Sequence, residues 1–194
     1  ATKRSTLIHV PLVAAPIAVL HNLPSRTTLS LSASTIAGIF GGTITRWNDP
    51  AIIKDNNRVF NKIVYKTKGG VLVKDAKGDP IVAKTIPTTT RYTLPDKPIK
   101  VIYRSDSSGT SENFTNYLNK SAATVWTKAK NKVFKDGFPG DINSADNLGR
   151  VVGAASSTGV AQLAGKTPYS ITYAEVNYAT ANKLKIANVI NAAG

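Results

Sequence analysis

The chain has 194 residues with 25 lysines and arginines against 11 aspartates and glutamates, which gives a formal net charge of +14. This length and a 42% share of hydrophobic residues suffice for one domain, or for two small ones, with a core that needs neither a metal nor disulfides. The chain has no cysteine, which excludes a disulfide scaffold, a cysteine-ligated zinc module and a thiol enzyme.

Residues 5–23 are expected to form an extended segment. Most of them are β-branched or small, and Pro11 and Pro16 exclude a helix. These prolines also interrupt the longest apolar run, which is too short to span a membrane. The segment holds both histidines, His9 and His21, and neither has a cysteine or a pair of carboxylates at ligand spacing. We therefore expect ordinary surface or hinge histidines here and no metal site.

Two short helices are expected next. Ser32 or Ser34 can cap the first, whose apolar side chains lie on one face: Ile36, Ile39 and Phe40. Asp49 followed by Pro50 marks the start of the second helix, because proline is well suited to the first helical position. Trp47, just before this turn, is expected to lie in the core.

Residues 54–100 carry half of the net charge, with 11 basic and four acidic side chains. Residues 58–93 form an insertion in which residues 61–93 alternate in hydrophobicity and contain two turn signals, Gly69-Gly70 and Lys77-Gly78-Asp79-Pro80. This pattern predicts a β-hairpin or a three-stranded meander. Only Tyr65 and Tyr92 are interleaved with the lysines. Solvated lysines therefore explain this charge better than a nucleic-acid finger, and no specific nucleic-acid partner is expected.

Helices and strands alternate in the second half of the chain, which indicates an α/β fold. The elements expected there are a buried strand at 99–103, a helix at 112–119, a further helical stretch around Trp126 and Val133, small-residue helix and loop at 144–164 with a break at 156–159, a last strand at 170–173 and a last helix at 177–184.

The segment 104–111, Arg-Ser-Asp-Ser-Ser-Gly-Thr-Ser, joins the strand at 99–103 to the following helix. The unpaired N–H groups at a helix N-terminus attract anions, and Gly109 lets the backbone approach a ligand. Nearby hydroxyls add donors: Ser107, Ser108, Thr110 and Ser111. Arg104 can offer a planar fork of N–H groups, and Asp106 can hold it by a salt bridge. By pattern alone, an oxyanion site and a simple capped helix with a surface ion pair are equally favoured.

A serine hydrolase is a weaker interpretation of the same residues. Ser108, Asp106 and a histidine could form a triad in principle, but the chain lacks a Gly-x-Ser-x-Gly elbow and both histidines lie in the proline-containing segment. We therefore expect a protein that is not an enzyme.

Several separated motifs, in order, resemble the phosphate-binding proteins of bacterial ABC transporters. They are Ile44-Thr45-Arg46-Trp47-Asn48-Asp49-Pro50-Ala51-Ile52, residues 94–97, Ile99 to Thr110, residues 114–118, Gly159-Val160-Ala161, Lys166 to Glu175 and residues 179–184. Together they cover most of the chain outside residues 58–93.

The resemblance implies the second lobe of a periplasmic-binding-protein-like clamp, in which two α/β lobes close on one phosphate. It implies a central mixed sheet flanked by helices, and binding of inorganic phosphate or a similar oxyanion in uptake or sensing. It places the phosphate contacts on Arg104, its partner Asp106, and the donors Ser108, Gly109 and Thr110. It implies no cofactor, and its partners would be a first lobe in the same or another chain and the membrane subunits of an ABC transporter. An extracytoplasmic location, whether periplasmic, cell-surface or secreted, agrees with the absence of cysteine.

The sequence departs from this family in two respects. It does not include the first lobe, with its glycine- and serine-rich loop and the carboxylate that accepts the proton of phosphate, and it contains the insertion at about 58–93. We therefore expect weak phosphate binding by this chain alone. The alternative function is a surface or structural interaction module that reuses the fold, with the basic insertion contacting a partner or an acidic polymer.

Overall fold

The computed structural model describes residues 15–24, 28–57, 59–89 and 93–191. In chain order its elements are β1 (Ile17–His21), β2 (Ser30–Ser32), α1 (Ala33–Phe40), α2 (Pro50–Asn56), β3 (Val59–Tyr65), β4 (Thr67–Lys68), β5 (Val71–Leu72), β6 (Val82–Thr89), β7 (Lys100–Arg104), α3 (Gly109–Ser121), α4 (Phe134–Gly137), β8 (Val151–Ala154), α5 (Ser156–Lys166), β9 (Ser170–Glu175), α6 (Asn177–Ala181), β10 (Lys185–Ile186) and β11 (Asn188–Ile190).

A mixed five-stranded sheet with the order β10-β1-β9-β7-β8 forms the centre of the fold. β7 runs parallel to its two neighbours, β8 and β9. β1 runs antiparallel to β9 and β10. The expected α/β class with a central mixed sheet is therefore confirmed. β2 and β11 form a separate parallel pair.

Different helices cover the two faces of the sheet. On one face, Val101 and Tyr103 of β7 belong to the larger core, together with side chains of α1 and α3. On the other face, Ile102 packs in a second core with small residues of α5: Val160, Ala161 and Ala164. Successive strand residues point to opposite faces, so Arg104 lies on the same face as Ile102. This places its side chain toward α5.

The predicted starts of α1 and α2 are confirmed. The Ser32 side chain accepts a hydrogen bond from the amide of Thr35 and caps α1. Asp49 caps α2 by accepting from Ala51, with Pro50 as the first helical residue. Trp47 is fully buried, as expected.

The further helical stretch expected around Trp126 and Val133 is wrong. Only the short α4 follows, and the residues before it form turns. The hydroxyl of Thr115 donates to the carbonyl of Asn131 at 3.1 Å and accepts from its amide at 2.9 Å. Because the Thr115 hydroxyl bonds to both the N–H and the C=O of Asn131, these backbone groups need no hydrogen bonds within a helix.

The interpretation of 144–164 as helix and loop holds for the turns at 144–150 and the helix at 160–164 but is wrong at 151–159. Residues 151–154 form the strand β8, and α5 begins at Ser156 in the place of the break. A Cβ on Gly153 would lie 3.1 Å from Cζ of Tyr103, so close packing against β7 favours glycine here. The last helix is shorter than expected, because Lys183 adopts a left-handed conformation with φ of 56° and the chain continues into β10.

His21 is buried, so the expectation of a surface histidine is wrong for this residue. Its Nδ1 accepts a hydrogen bond from the amide of Leu23 at 3.3 Å. Burial, together with the charge of Lys185, lowers the pKa of His21 to about 4. His9 lies outside the described residues.

A β-arm, defined here as residues 59–89, projects between α2 and the segment that leads to β7. β3 and β6 pair antiparallel along their length, and β4 pairs with β5 toward the far end. All eight residues of β6 are exposed. The described strands of the β-arm pair only with one another. The alternating pattern predicts a hairpin here, and β6 continues this pairing through Pro87 to Thr89.

Candidate functional site

The candidate site lies at the carboxyl ends of the parallel strands. Arg104 ends β7, and α3 begins five residues later. β8 is followed directly by α5. Since the two helices cover opposite faces of the sheet, their N-termini meet at one edge. Ligands of open α/β sheets bind at such edges, where the chain departs in two directions.

Three hydrogen bonds to two side chains, Asp106 and Ser157, hold the buried guanidinium of Arg104. Its Nε donates to Oδ1 of Asp106 at 2.8 Å, and its Nη2 donates to Oδ2 of the same carboxylate. Its Nη1 donates to Oγ of Ser157 at 3.0 Å. The hydrogen bond to Asp106 raises the pKa of Arg104, and the same bond holds the pKa of Asp106 well below its usual range. The expected salt bridge is therefore present, and both groups are charged.

Asp106 also connects Arg104 to the start of α5. Its Oδ1 accepts a hydrogen bond from the amide of Ser156 at 2.9 Å. Ser156 has a φ of 64°, a left-handed conformation that costs about 1 kcal/mol or more for a residue with a side chain. The Ser156 hydroxyl accepts a hydrogen bond from the amide of Gly159, in the first turn of α5, at 3.2 Å. The carboxylate thus fixes the helix start in a strained position beside Arg104.

The N-terminus of α3 presents backbone donors to open space. Oγ of Ser108 accepts from the amide of Ser111 at 3.0 Å, which makes Ser108 the N-cap. The amides of Gly109 and Thr110 have no acceptor within the helix. A Cβ on Gly109 would meet no atom within 4 Å. An anion can therefore approach these amides without a steric barrier.

Two polar side chains of β9, Tyr173 and Glu175, contact the first turn of α3. The Thr110 hydroxyl donates to Oε1 of Glu175 at 2.8 Å. Burial acts to raise the pKa of Glu175, but hydrogen bonds from Ser157 and Thr110 lower it below its ordinary value overall. The hydroxyl of Tyr173 lies 2.7 Å from that of Ser111, and burial raises the pKa of Tyr173 to about 12. Glu175 is therefore ionised at neutral pH, and Tyr173 is neutral.

The structure brings together all five residues singled out from the sequence: Arg104, Asp106, Ser108, Gly109 and Thr110. α3 begins at Gly109, three residues before the predicted start. Ser111 is buried against Tyr173, so its hydroxyl is not among the open donors. Sequence reasoning missed four residues that border the site: Ser156, Ser157, Tyr173 and Glu175.

One signal could have revealed two of the missed residues. Residues 156–159, Ser-Ser-Thr-Gly, have the same hydroxyl- and glycine-rich composition as residues 107–110, Ser-Ser-Gly-Thr. Both runs follow a strand and begin a helix. No comparable signal marked Tyr173 and Glu175, because only the pairing of β9 with β7 brings them near α3.

Chemically, the arrangement combines a charged planar donor with the open amides of a helix N-terminus. Such groups suit a tetrahedral oxyanion. Among residues 15–24, 28–57, 59–89 and 93–191, no three histidine or carboxylate side chains gather as a metal site. No helix of these same residues is long and apolar enough to cross a membrane.

A sheet with helices on both faces and an arginine between two helix N-termini defines a lobe of the periplasmic-binding-protein type. Residues 1–194 match the family model described as "PBP superfamily domain". The chain belongs to this superfamily.

Curated relatives of the chain are phosphate-binding proteins by name. It is 35% identical over 186 residues to phosphate-binding protein PstS 3 of Mycobacterium tuberculosis, covering 96% of this chain and 38% of the relative. It is 30% identical over 190 residues to phosphate-binding protein PstS of Methanocaldococcus jannaschii, covering 96% and 39%. The chain therefore spans less than half the length of these relatives.

Solved structures with the same fold include a phosphate-binding protein from Stenotrophomonas maltophilia, with a TM-score of 0.56 and 20% identity over 93% of this chain and 40% of that one. A human phosphate-binding apolipoprotein gives a TM-score of 0.58 and 24% identity over 93% of this chain and 39% of that one. At this level of identity the likeness concerns the fold.

Proposed function

We propose that the chain is a solute-binding lobe for inorganic phosphate, working in phosphate uptake or sensing. The observation that carries this proposal is the buried Arg104, held by Asp106 between the N-termini of α3 and α5. The names of the curated relatives support phosphate as the oxyanion.

Arg104 keeps donors for a ligand after its structural contacts are made. A guanidinium carries five N–H groups, and three of them are donated to Asp106 and Ser157. One N–H on each terminal nitrogen remains for two phosphate oxygens. The amides of Gly109 and Thr110 supply two more donors, and the dipoles of α3 and α5 favour the negative charge.

The hydroxyls of Ser108 and Thr110 are already engaged within the lobe. Ser108 caps α3, and Thr110 donates to Glu175. The Thr110 hydroxyl must turn away from Glu175 to donate to phosphate. The carboxylate thus competes with the ligand for this donor.

We also propose that the chain is one lobe, interrupted by an insertion at about residues 58–93, and that a first lobe in the same or another chain completes the site. The relatives are more than twice as long as the matched segment, which supports this.

The first lobe would exclude water from a site that is open on one side. Charged hydrogen bonds in an open site are largely exchanged with water, so the lobe alone should bind phosphate in about the millimolar range. In this proposal the assembled protein is extracytoplasmic, delivers phosphate to the membrane subunits of an ABC transporter and is not an enzyme.

The test is a titration of the isotope-labelled 194-residue chain with phosphate and, separately, with sulfate. We expect the backbone amide signals of Gly109 and Thr110 to shift first and to saturate at millimolar phosphate, with little preference over sulfate. Gly78, at the far end of the β-arm, provides an internal control. Saturation at micromolar phosphate would contradict the half-site, and shifts confined to the β-arm would contradict the site itself.

The second candidate function is an interaction module that reuses the fold. The exposed and basic β-arm favours it, because none of its residues 61–89 belongs to either core of the lobe. It predicts no specific shift at Gly109 in the same titration, and the two functions are therefore distinguishable.

A further inference from the structure

The β-arm exposes an unusual amount of apolar surface. Of the eleven large hydrophobic side chains exposed in the described part of the chain, six lie on this arm. They are 37% to 70% exposed: Ile63, Tyr65, Val71, Leu72, Val82 and Ile86. Val71 is the most exposed of the six, directly after the turn between β4 and β5.

The register divides the paired strands into two unlike faces. Residues opposite each other share a face, so Ile63 and Tyr65 lie on the same face as Thr85 and Val82. The other face carries Lys62 and Lys84, each paired across the strands with an apolar residue. Both faces therefore expose apolar side chains, and one of them adds positive charge.

The far end of the β-arm concentrates lysines around its apolar residues. Residues 59–89 contain six lysines and two aspartates, a net charge of 6 − 2 = +4. Four of the lysines lie between residues 66 and 77, on either side of Val71 and Leu72: Lys66, Lys68, Lys74 and Lys77. Among the described residues Asp75 forms no ion pair with these lysines, and its Oδ1 accepts hydrogen bonds from the amides of Lys77 and Asp79.

We propose that the β-arm binds the surface of an anionic lipid bilayer, with Val71 and Leu72 inserted at the level of the headgroups and the surrounding lysines on the lipid phosphates. Apolar side chains that enter the interface and lysines that contact anionic headgroups are the two contributions that hold peripheral proteins on membranes. The β-arm presents both at its far end. It extends about 23 Å along β3 alone, so the lobe need not touch the lipid.

Other occupants fit the β-arm less well. A second copy of the chain would bring two arms of the same positive charge together. An acidic protein would cover one face and leave the apolar side chains of the other in water. A soluble polyanion would engage the lysines but not Val71 or Leu72, whereas a bilayer can surround both faces at once.

The test measures binding of the 194-residue chain to vesicles of phosphatidylglycerol and phosphatidylcholine, against vesicles of phosphatidylcholine alone. We expect binding to the anionic vesicles only. Lys66→Glu with Lys68→Glu should weaken it about 25-fold or more, at about fivefold per lysine. Val71→Ser with Leu72→Ser should weaken it at least about tenfold through lost apolar contact. Leu148→Ser is the matched control, because Leu148 is 68% exposed outside the β-arm and should have no effect.

A tryptophan reporter locates the inserted residues. Leu72→Trp should show blue-shifted emission and quenching by brominated lipid, above a constant background from Trp47 and Trp126, which are fully buried. Addition of inorganic phosphate at constant ionic strength should not release the chain, because the arm and not Arg104 holds the vesicle. Binding that resists the serine substitutions would indicate a site for polyanions only and overturn the proposal. Release by phosphate, or equal binding to neutral vesicles, would overturn it as well.

Discussion

Replacement of Arg104 by methionine tests the oxyanion site most directly. Methionine keeps a long, unbranched side chain, whereas alanine would leave a cavity, because Arg104 is only 8% exposed. The substitution does not leave the Asp106 carboxylate as an unpaired buried charge, because 39% of that side chain is exposed to water. The fold is therefore expected to survive, with some loss of stability.

The expected loss of affinity follows from the donors that Arg104 keeps for a ligand. Two N–H groups remain after its contacts with Asp106 and Ser157, and hydrogen bonds to charged groups contribute about 1.5–3 kcal/mol each. At the lower end, appropriate to an open site, the total of about 3 kcal/mol corresponds to about 150-fold weaker binding. A millimolar site would become undetectable. Arg104→Lys should recover part of the affinity, because lysine keeps the charge but not the fork.

The assay is calorimetry or amide shifts on addition of phosphate, and Arg150→Met is the matched control. Arg150 is also a buried arginine, 7% exposed, but it precedes β8 at the opposite end of the sheet. Its loss should lower stability and leave phosphate binding unchanged. If Arg104→Met binds phosphate as tightly as the parent, or if both methionine variants lose binding equally, Arg104 is not the ligand.

Three further predictions concern other parts of the molecule. Glu175→Gln should tighten phosphate binding about two- to tenfold, because it removes a negative charge and replaces the charged acceptor of the Thr110 hydroxyl by a weaker, neutral one; weaker binding in calorimetry would contradict the competition between Glu175 and the ligand. Burial lowers the pKa of His21 from 6.5, its value in the unfolded chain, to about 4. Between these pH values His21 is protonated in the unfolded chain but not in the folded one, so the free energy of unfolding should fall by about 3 kcal/mol as the pH drops from about 6.5 to about 4. Urea unfolding of His21→Gln should lack this pH dependence, and an unchanged profile would refute it. Deletion of the β-arm should change the melting temperature little in calorimetry, because its strands pair only with each other in the described part of the chain; a large drop would place the arm in the core.

The starts of α1 and α2 were predictable from the sequence because local chemistry determines them. Ser32 and Asp49 each bond to an amide two or three residues away. The same holds for the pairing of Arg104 with Asp106, which are two residues apart at the end of a strand. Interactions of this kind need no knowledge of the rest of the fold.

The strand β8 and the role of Glu175 depend instead on distant parts of the chain. β8 has only four residues, Val-Val-Gly-Ala, and becomes a strand because it pairs with β7, about fifty residues earlier. Glu175 lies 65 residues from Thr110 and reaches it only because β9 lies next to β7. Short-range patterns carry no information about such pairings, so the sequence alone could not supply this half of the site.

The charges of the two anion-binding surfaces predict opposite responses to salt. At the strand-end site, Arg104 contributes +1 while Asp106 and Glu175 contribute −2, so these three groups sum to −1. Attraction for phosphate there must come from oriented N–H groups at close range, which salt screens weakly. The β-arm carries +4 on exposed side chains, and at 0.15 M salt the screening length of about 8 Å is short enough to weaken its attraction for lipid. Raising the salt concentration should therefore release the chain from anionic vesicles. The affinity for phosphate should change little, provided that the anion of the added salt does not itself compete for the strand-end site. A parallel loss of both would mean that one basic surface binds both ligands, and the separation of the two sites would be refuted.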